Sequence, residues 1–213
     1  MSLLLKGIVI GFAVAAPVGP IGLLCIRRTL WGGRLAGFTA GLGAALADTV
    51  FGFVAAFGLT LVWDFLTANT RWFALGAAVV LIYIGVTEWR SRPSDPVLAA
   101  PPTAAGLLGG LVSTFFLTLA NPITILSFAA IFAGLGIEGH RVTADGNTPD
   151  YAVMAQLISG VFLGSAGWWL MLAGGVDVIR HRLNGTTLKM LNRVSGTGLL
   201  GFGLFMLYRF FFG

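Results

Sequence analysis

Residues 7–26 form a run of twenty without one charged side chain, and five more apolar runs follow it. They cover 35–63, broken only by Asp48, then 72–87, 97–137, 151–176 and 194–208, the last continuing through Arg209 into Phe210-Phe211-Phe212. A bilayer core takes about 20 residues of helix. The first, second, fourth and fifth runs reach that length unaided. The third gains it with Arg71 and Glu88 at the interfaces, and the sixth with Arg193 and Arg209, whose long stems can snorkel. None of the runs shows the period-two polarity of a transmembrane barrel.

The alternative to a membrane is a soluble core, and composition excludes it. Of 213 residues, 57% are hydrophobic and 10% charged, where a soluble domain carries about 25% charged residues. A soluble chain of this length cannot hide so much apolar surface. The sequence therefore predicts an all-α, polytopic membrane bundle of six helices, one transmembrane domain over 1–213. Pro101 and Pro102 mark the start of the fourth helix, placed at 105–133. The small-x-small triplet Ala13-Val14-Ala15 could mimic a signal-cleavage site, but the apolar run continues past it, so no cleavage is expected.

Charge sets the orientation. The odd linkers hold Arg27, Arg28, Arg34, Arg90, Arg92, Arg180, Arg182, Lys189 and Arg193; the other side holds Lys6, Arg71, Arg141 and Arg209. Nine against four puts the odd linkers in the cytoplasm and both termini outside. The expected location is the cell membrane, the inner one in a Gram-negative host. The net charge of +5 is spread over these linkers, so it reads as topology and not as a nucleic-acid surface. The polar stretch 138–150 reads as an exposed loop.

Two runs are spoiled near their middles. The first contains Ala16-Pro17-Val18-Gly19-Pro20 and the fourth Thr118-Leu119-Ala120-Asn121-Pro122-Ile123-Thr124. Proline removes its own backbone donor and clashes with the preceding turn. In hydrocarbon, freed carbonyls are costly unless protein, water or ligand satisfies them, so such breaks belong at an interior cavity. Freed carbonyls accept from an ammonium or a cation, and the helix start after a break attracts a carboxylate. Asn121 adds a donor and an acceptor. Pro17, Gly19, Pro20, Asn121, Pro122 and Thr124 are thus candidate substrate-binding positions; a packed kink is the simpler reading of each.

Aligning Pro20 on Pro122 places Gly19 on Asn121, Gly22 on Thr124 and Gly32 on Gly134. This weak likeness divides the chain into three-helix halves, 1–95 and 96–213. An odd number of crossings per repeat makes the second half inverted, an arrangement used by many secondary transporters.

Asp48 lies about 21 Å along the helix from Arg34 at 1.5 Å per residue. It is the only acid deep in a predicted crossing. A carboxylate there must face the interior, paired or protonated. Those are the properties of an ion-coupling residue, and also of a structural hydrogen-bonding acid. Gly37, Gly41 and Ala45 precede it at spacings of four, with Gly43 beside them, as a small-residue stripe that permits close helix packing. The same stripe would serve a homodimer. The glycine pair Gly160 and Gly164 has the same spacing.

The remaining matches are weak. Cys25 is the only cysteine, so neither an internal disulfide nor a thiolate metal cluster can form. Gly196-Thr197-Gly198-Leu199-Leu200-Gly201 fits a dinucleotide fingerprint in letters only, since no strand precedes it. Asn184-Gly185-Thr186 fits a glycosylation acceptor but falls in a predicted cytoplasmic linker. His140 and His181 fall in loops on opposite sides. Trp168 and Trp169 need partners for their ring nitrogens if buried. No nucleophile or metal-ligand set appears, so we expect no enzyme activity, no cofactor and no bound metal.

In size, in its six runs and in the order of its motifs, the chain resembles a LysE/RhtB-type amino-acid exporter. The shared features are the Pro17-Val18-Gly19-Pro20 break, the glycines leading to Asp48, the Asn121-Pro122 pair, and Leu191-Asn192-Arg193-Val194-Ser195-Gly196 before the last helix. Two positions depart from the family pattern: Ile21 stands where many members have asparagine, and Ile123 where many have lysine or glycine. The resemblance implies export of a small amino acid or related solute, driven by a proton or monovalent cation gradient. It leaves open another metabolite or a cation as cargo. A membrane scaffold protein that moves no solute is the alternative of a different class.

Overall fold

The computed structural model describes residues 2–17, 19–56, 60–90, 102–134, 151–180 and 185–212. The polar stretch 138–150 with His140, and also Arg92, His181, Arg182 and Asn184, lie outside them. Every regular element among the described residues is helical: α1 (Leu3–Ala15), α2 (Pro20–Ala56), α3 (Thr60–Ala68), α4 (Thr70–Arg90), α5 (Ala104–Leu119), α6 (Pro122–Gly134), α7 (Tyr151–Arg180) and α8 (Gly185–Phe212).

Local chemistry explains the starts. The Ser2 hydroxyl accepts from the Leu5 N–H at 3.4 Å and the Thr103 hydroxyl from the Gly106 N–H at 3.1 Å. Each satisfies one of the donors a helix leaves open at its N-terminus. Pro20 and Pro122 stand at the first positions of α2 and α6, where a missing N–H costs nothing.

Four helices are long and apolar enough to cross a membrane: α2, α4, α7 and α8. A fifth span forms if α5 and α6, bent by 63° at their break, are taken together. The protein is a multi-pass membrane protein. The expected single helix over 105–133 is two helices, because Pro122 cannot donate to the turn before it. The second apolar run is also divided: α2 ends at Ala56 and the short α3 follows.

The largest departure from straight helices is inside α2. Gly33 has φ 78° and ψ 178°, a conformation that only glycine adopts without strain. In a continuous helix Gly37 and Cys25 would lie about 18 Å apart along the axis. Here a Cβ built on Gly37 would come 3.1 Å from the Cys25 carbonyl oxygen and would overlap the Thr29 side chain. The chain therefore folds back at Gly33. The new start is capped from α7: the Arg34 N–H donates to Asp177 Oδ1 at 3.1 Å, and Arg180 Nε meets the same oxygen at 2.7 Å.

Close glycine contacts give the helix directions. A Cβ at Gly7 would overlap the Leu157 carbonyl, one at Gly11 the Val161 carbonyl, and one at Gly164 the Ile8 carbonyl. So α1 and α7 run parallel, backbone to backbone. Gly85 packs on Leu200 and Gly203 on Ala78 and Ile82, so α4 and α8 are antiparallel. Arg71 closes that pair by donating to the Phe210 carbonyl at the end of α8. Along the limb of α2 after Gly33, Gly41 meets Trp169, Asp48 meets Ser165 and Gly52 meets Val161, so that limb runs antiparallel to α7. Its other side packs on α5, where Gly43 meets Leu111 and Thr114 and the Thr114 hydroxyl donates to the Ala40 carbonyl.

Candidate functional site

Both broken segments face one cavity of about 250 Å³. That is below the roughly 300–1,000 Å³ of sites for drug-sized ligands, so it suits a small solute. Pro17, Gly19 and Pro20 line it from the first break, Asn121 and Thr124 from the second, and Asp48 from the far limb of α2. The structure thus brings together residues more than a hundred positions apart. Pro122 starts α6 beside this group without lining the cavity. Gly37, Gly41 and Gly43 lie outside it, packed on Thr29, Trp169 and Leu111 respectively.

The first break owes its polarity to backbone. With Pro20 leading α2 and the Leu23 N–H donating to the Gly19 carbonyl at 3.1 Å, the N–H groups of Ile21 and Gly22 have no acceptor within the helix. Both residues line the cavity. At the second break the Asn121 side chain is engaged: its Oδ1 accepts from the Ile123 N–H at 3.1 Å, while its backbone N–H donates to the Thr118 carbonyl. Asn121 therefore caps α6. Its Nδ2 makes no hydrogen bond among the described residues.

Asp48 is 2% exposed and sits at the end of a buried relay. Trp169 Nε1 donates to Ser165 Oγ at 3.2 Å, and Ser165 Oγ donates to Asp48 Oδ2 at 2.7 Å. Gly41 makes this possible, since a Cβ there would overlap the Trp169 side chain. The glycine read from sequence as packing thus admits the indole that orients the serine. Ser165 was not legible as a site residue, because a lone serine between Gly164 and Ala166 carries no spacing signal. Trp169 was flagged by its ring nitrogen alone.

Thr118 is the second residue that sequence reasoning passed over. It is 3% exposed, lines the cavity, and its Oγ1 has no hydrogen-bond partner among the described residues. A buried hydroxyl in that state costs about 1–3 kcal/mol. Other threonines in these helices donate to the carbonyl one turn back: Thr29 to Cys25 at 2.9 Å and Thr49 to Ala45 at 2.6 Å.

The model of the LysE type translocator family matches residues 12–209. The chain is 28% identical over 214 residues to the Bacillus subtilis (strain 168) protein named "Putative amino acid efflux protein YcgF", covering 98% of this chain and 97% of that one. It is also 28% identical over 193 residues to the Escherichia coli (strain K12) protein named "Uncharacterized membrane protein YahN", covering 86% and 79%. No solved structure matches the chain.

Proposed function

Because this membrane transporter belongs to the LysE type translocator family, we propose that it exports a small amino acid or related solute, coupled to a proton or monovalent cation gradient. The observation that carries this reading is a cavity lined by both helix breaks and by Asp48. Helix ends and a carboxylate in one apolar bundle offer partners to both charges of a zwitterion. The name of the Bacillus subtilis relative supports amino acids as the solute class. Asp48 is the coupling acid on this reading: its protonation would bias the cavity toward one side of the membrane.

Purified protein in vesicles, assayed with an amino-acid panel under an imposed pH or sodium gradient, tests the proposal. Gradient-dependent movement of at least one panel member is the expected result. Absence of any such flux in folded protein refutes the assignment.

The reading includes six crossings in two inverted halves. The fold-back at Gly33 supports it, because α1 with the first limb of α2 makes one broken crossing and the second limb another. The packing supports it too. Exchanging each crossing with its counterpart in the other half turns the α1–α7 contact into the contact of α5 with the second limb of α2. The α4–α8 contact and the contact of α7 with that limb each map onto themselves. Single cysteines placed in a Cys25→Ser background check the orientation. Labels that cannot cross the membrane are expected to reach 138–150 from outside and Arg34 only after permeabilisation; the reverse pattern refutes outside termini.

A further inference from the structure

Under the alignment of Pro20 on Pro122 the two breaks differ in chemistry. Thr118, Asn121, Thr124 and Ser127 are spaced by three along the second break and all four line the cavity. Their counterparts in the first are Ala16, Gly19, Gly22 and Cys25. One half offers side-chain oxygens and an amide; in the other, Gly19 and Gly22 line the cavity with bare backbone. Asn121 Oδ1 is consumed by capping α6, and Ser127 Oγ donates to the Ile123 carbonyl at 2.7 Å. Thr118 lines the same cavity as Ile21 and Gly22, and its buried hydroxyl has no partner among the described residues.

We propose that Thr118 binds the α-carboxylate of the exported solute, donating its hydroxyl proton while the N-termini of α2 and α6 hold the same anionic group, with the solute's ammonium turned to Asp48. This rests on the export reading above and adds the solute's orientation and a binding residue. Electrostatics fixes the direction. Helix N-termini carry partial positive charge and favour the carboxylate, and Asp48 brings a carboxyl group to the same cavity. A hydroxyl among N–H donors serves best as another donor, and one that bonds to no carbonyl keeps its proton free for a ligand. The buried cost of Thr118 is then relieved only when the site is filled, which makes it a feature of binding and not of folding.

The experiment compares Thr118→Val and Thr118→Ser with the wild type, as purified protein in detergent and in vesicles. The probes are neutral L-α-amino acids and, for each, the α-carboxamide that lacks the negative charge. Thr118→Val is expected to weaken half-saturation by the acids about ten- to a hundred-fold, as loss of a hydrogen bond to a charged group does. It should leave the carboxamides nearly unchanged, and Thr118→Ser should restore the acids. Thr118→Val should also melt at or above the wild-type temperature, because it removes an unsatisfied buried hydroxyl. Thr118→Ala is read beside it should the valine variant fold poorly. An unchanged affinity for the acids, or equal losses for acid and carboxamide, overturns the assignment of Thr118 and leaves the export reading standing. A folded wild type that binds no amino acid overturns both.

Discussion

Asp48→Asn is expected to abolish uphill export while the protein still folds and exchanges solute down its gradient. The substitution keeps size and keeps an oxygen that can accept from Ser165, whose hydroxyl now donates to Asp48 at 2.7 Å. What it removes is ionisation. Coupling needs a group whose charge differs between two transport states, and coupling free energies of about 1–3 kcal/mol correspond to about 5- to 150-fold in affinity. Gradient-driven accumulation should fall by more than about ten-fold on that scale, and its response to external pH should flatten. Passive counterflow should persist. Flux in vesicles with and without an imposed pH gradient checks this, after both proteins are shown to be monodisperse. Uphill transport that survives the change with its pH dependence intact would remove Asp48 from the coupling role and leave it as a structural acceptor for Ser165. Asn121 calls for a gentler test than alanine. Because its Oδ1 caps α6, Asn121→Ala would also lose a cap worth about 0.5–2 kcal/mol. Asn121→Ser keeps an acceptor there and removes only the amide donor.

The helix breaks were legible because proline states its constraint in a single letter: no N–H, and a clash with the preceding turn. Their meeting in one cavity was not legible. It depends on α1 packing on α7 and α5 packing on the far limb of α2, two helices that are themselves packed together. Asp48 stood out because a charge in an apolar run needs a reason, whereas Ser165 and Thr118 are ordinary letters in a membrane helix. Only their partners, or the lack of one, separate them from the other hydroxyls. The Gly33 fold-back sat next to three arginines that marked a linker, but the linker is a single residue. The stretch 27–34 between the first two apolar runs was not needed as loop, because a positive φ at glycine reverses the chain by itself.

Gly164→Ala and Gly174→Ala make the same chemical change on the same helix, and they are expected to move stability in opposite directions. At Gly164 the added Cβ would run into the backbone of Ile8 on α1, whereas at Gly174 nothing lies within 4 Å. The first must push α1 away from α7 along a seam where Gly7, Gly11 and Gly160 are equally tight. Overpacking of this kind costs about 1–3 kcal/mol, and membrane helices depend on such contacts because apolar burial drives them together only weakly. The second replaces a helical glycine by a better helix former in open space, a gain of about 0.5–1 kcal/mol. Thermal unfolding of the two purified variants in one detergent checks the pair; shifts of equal sign and size would show that the seam is not set by backbone contact. The consequence reaches the site. Val14 and Ala15 at the end of α1 form part of the cavity wall, and Ser165, which orients Asp48, follows Gly164 on α7. A displaced α1 should therefore lower transport in Gly164→Ala at temperatures where the variant is still folded, while Gly174→Ala transports as the wild type does.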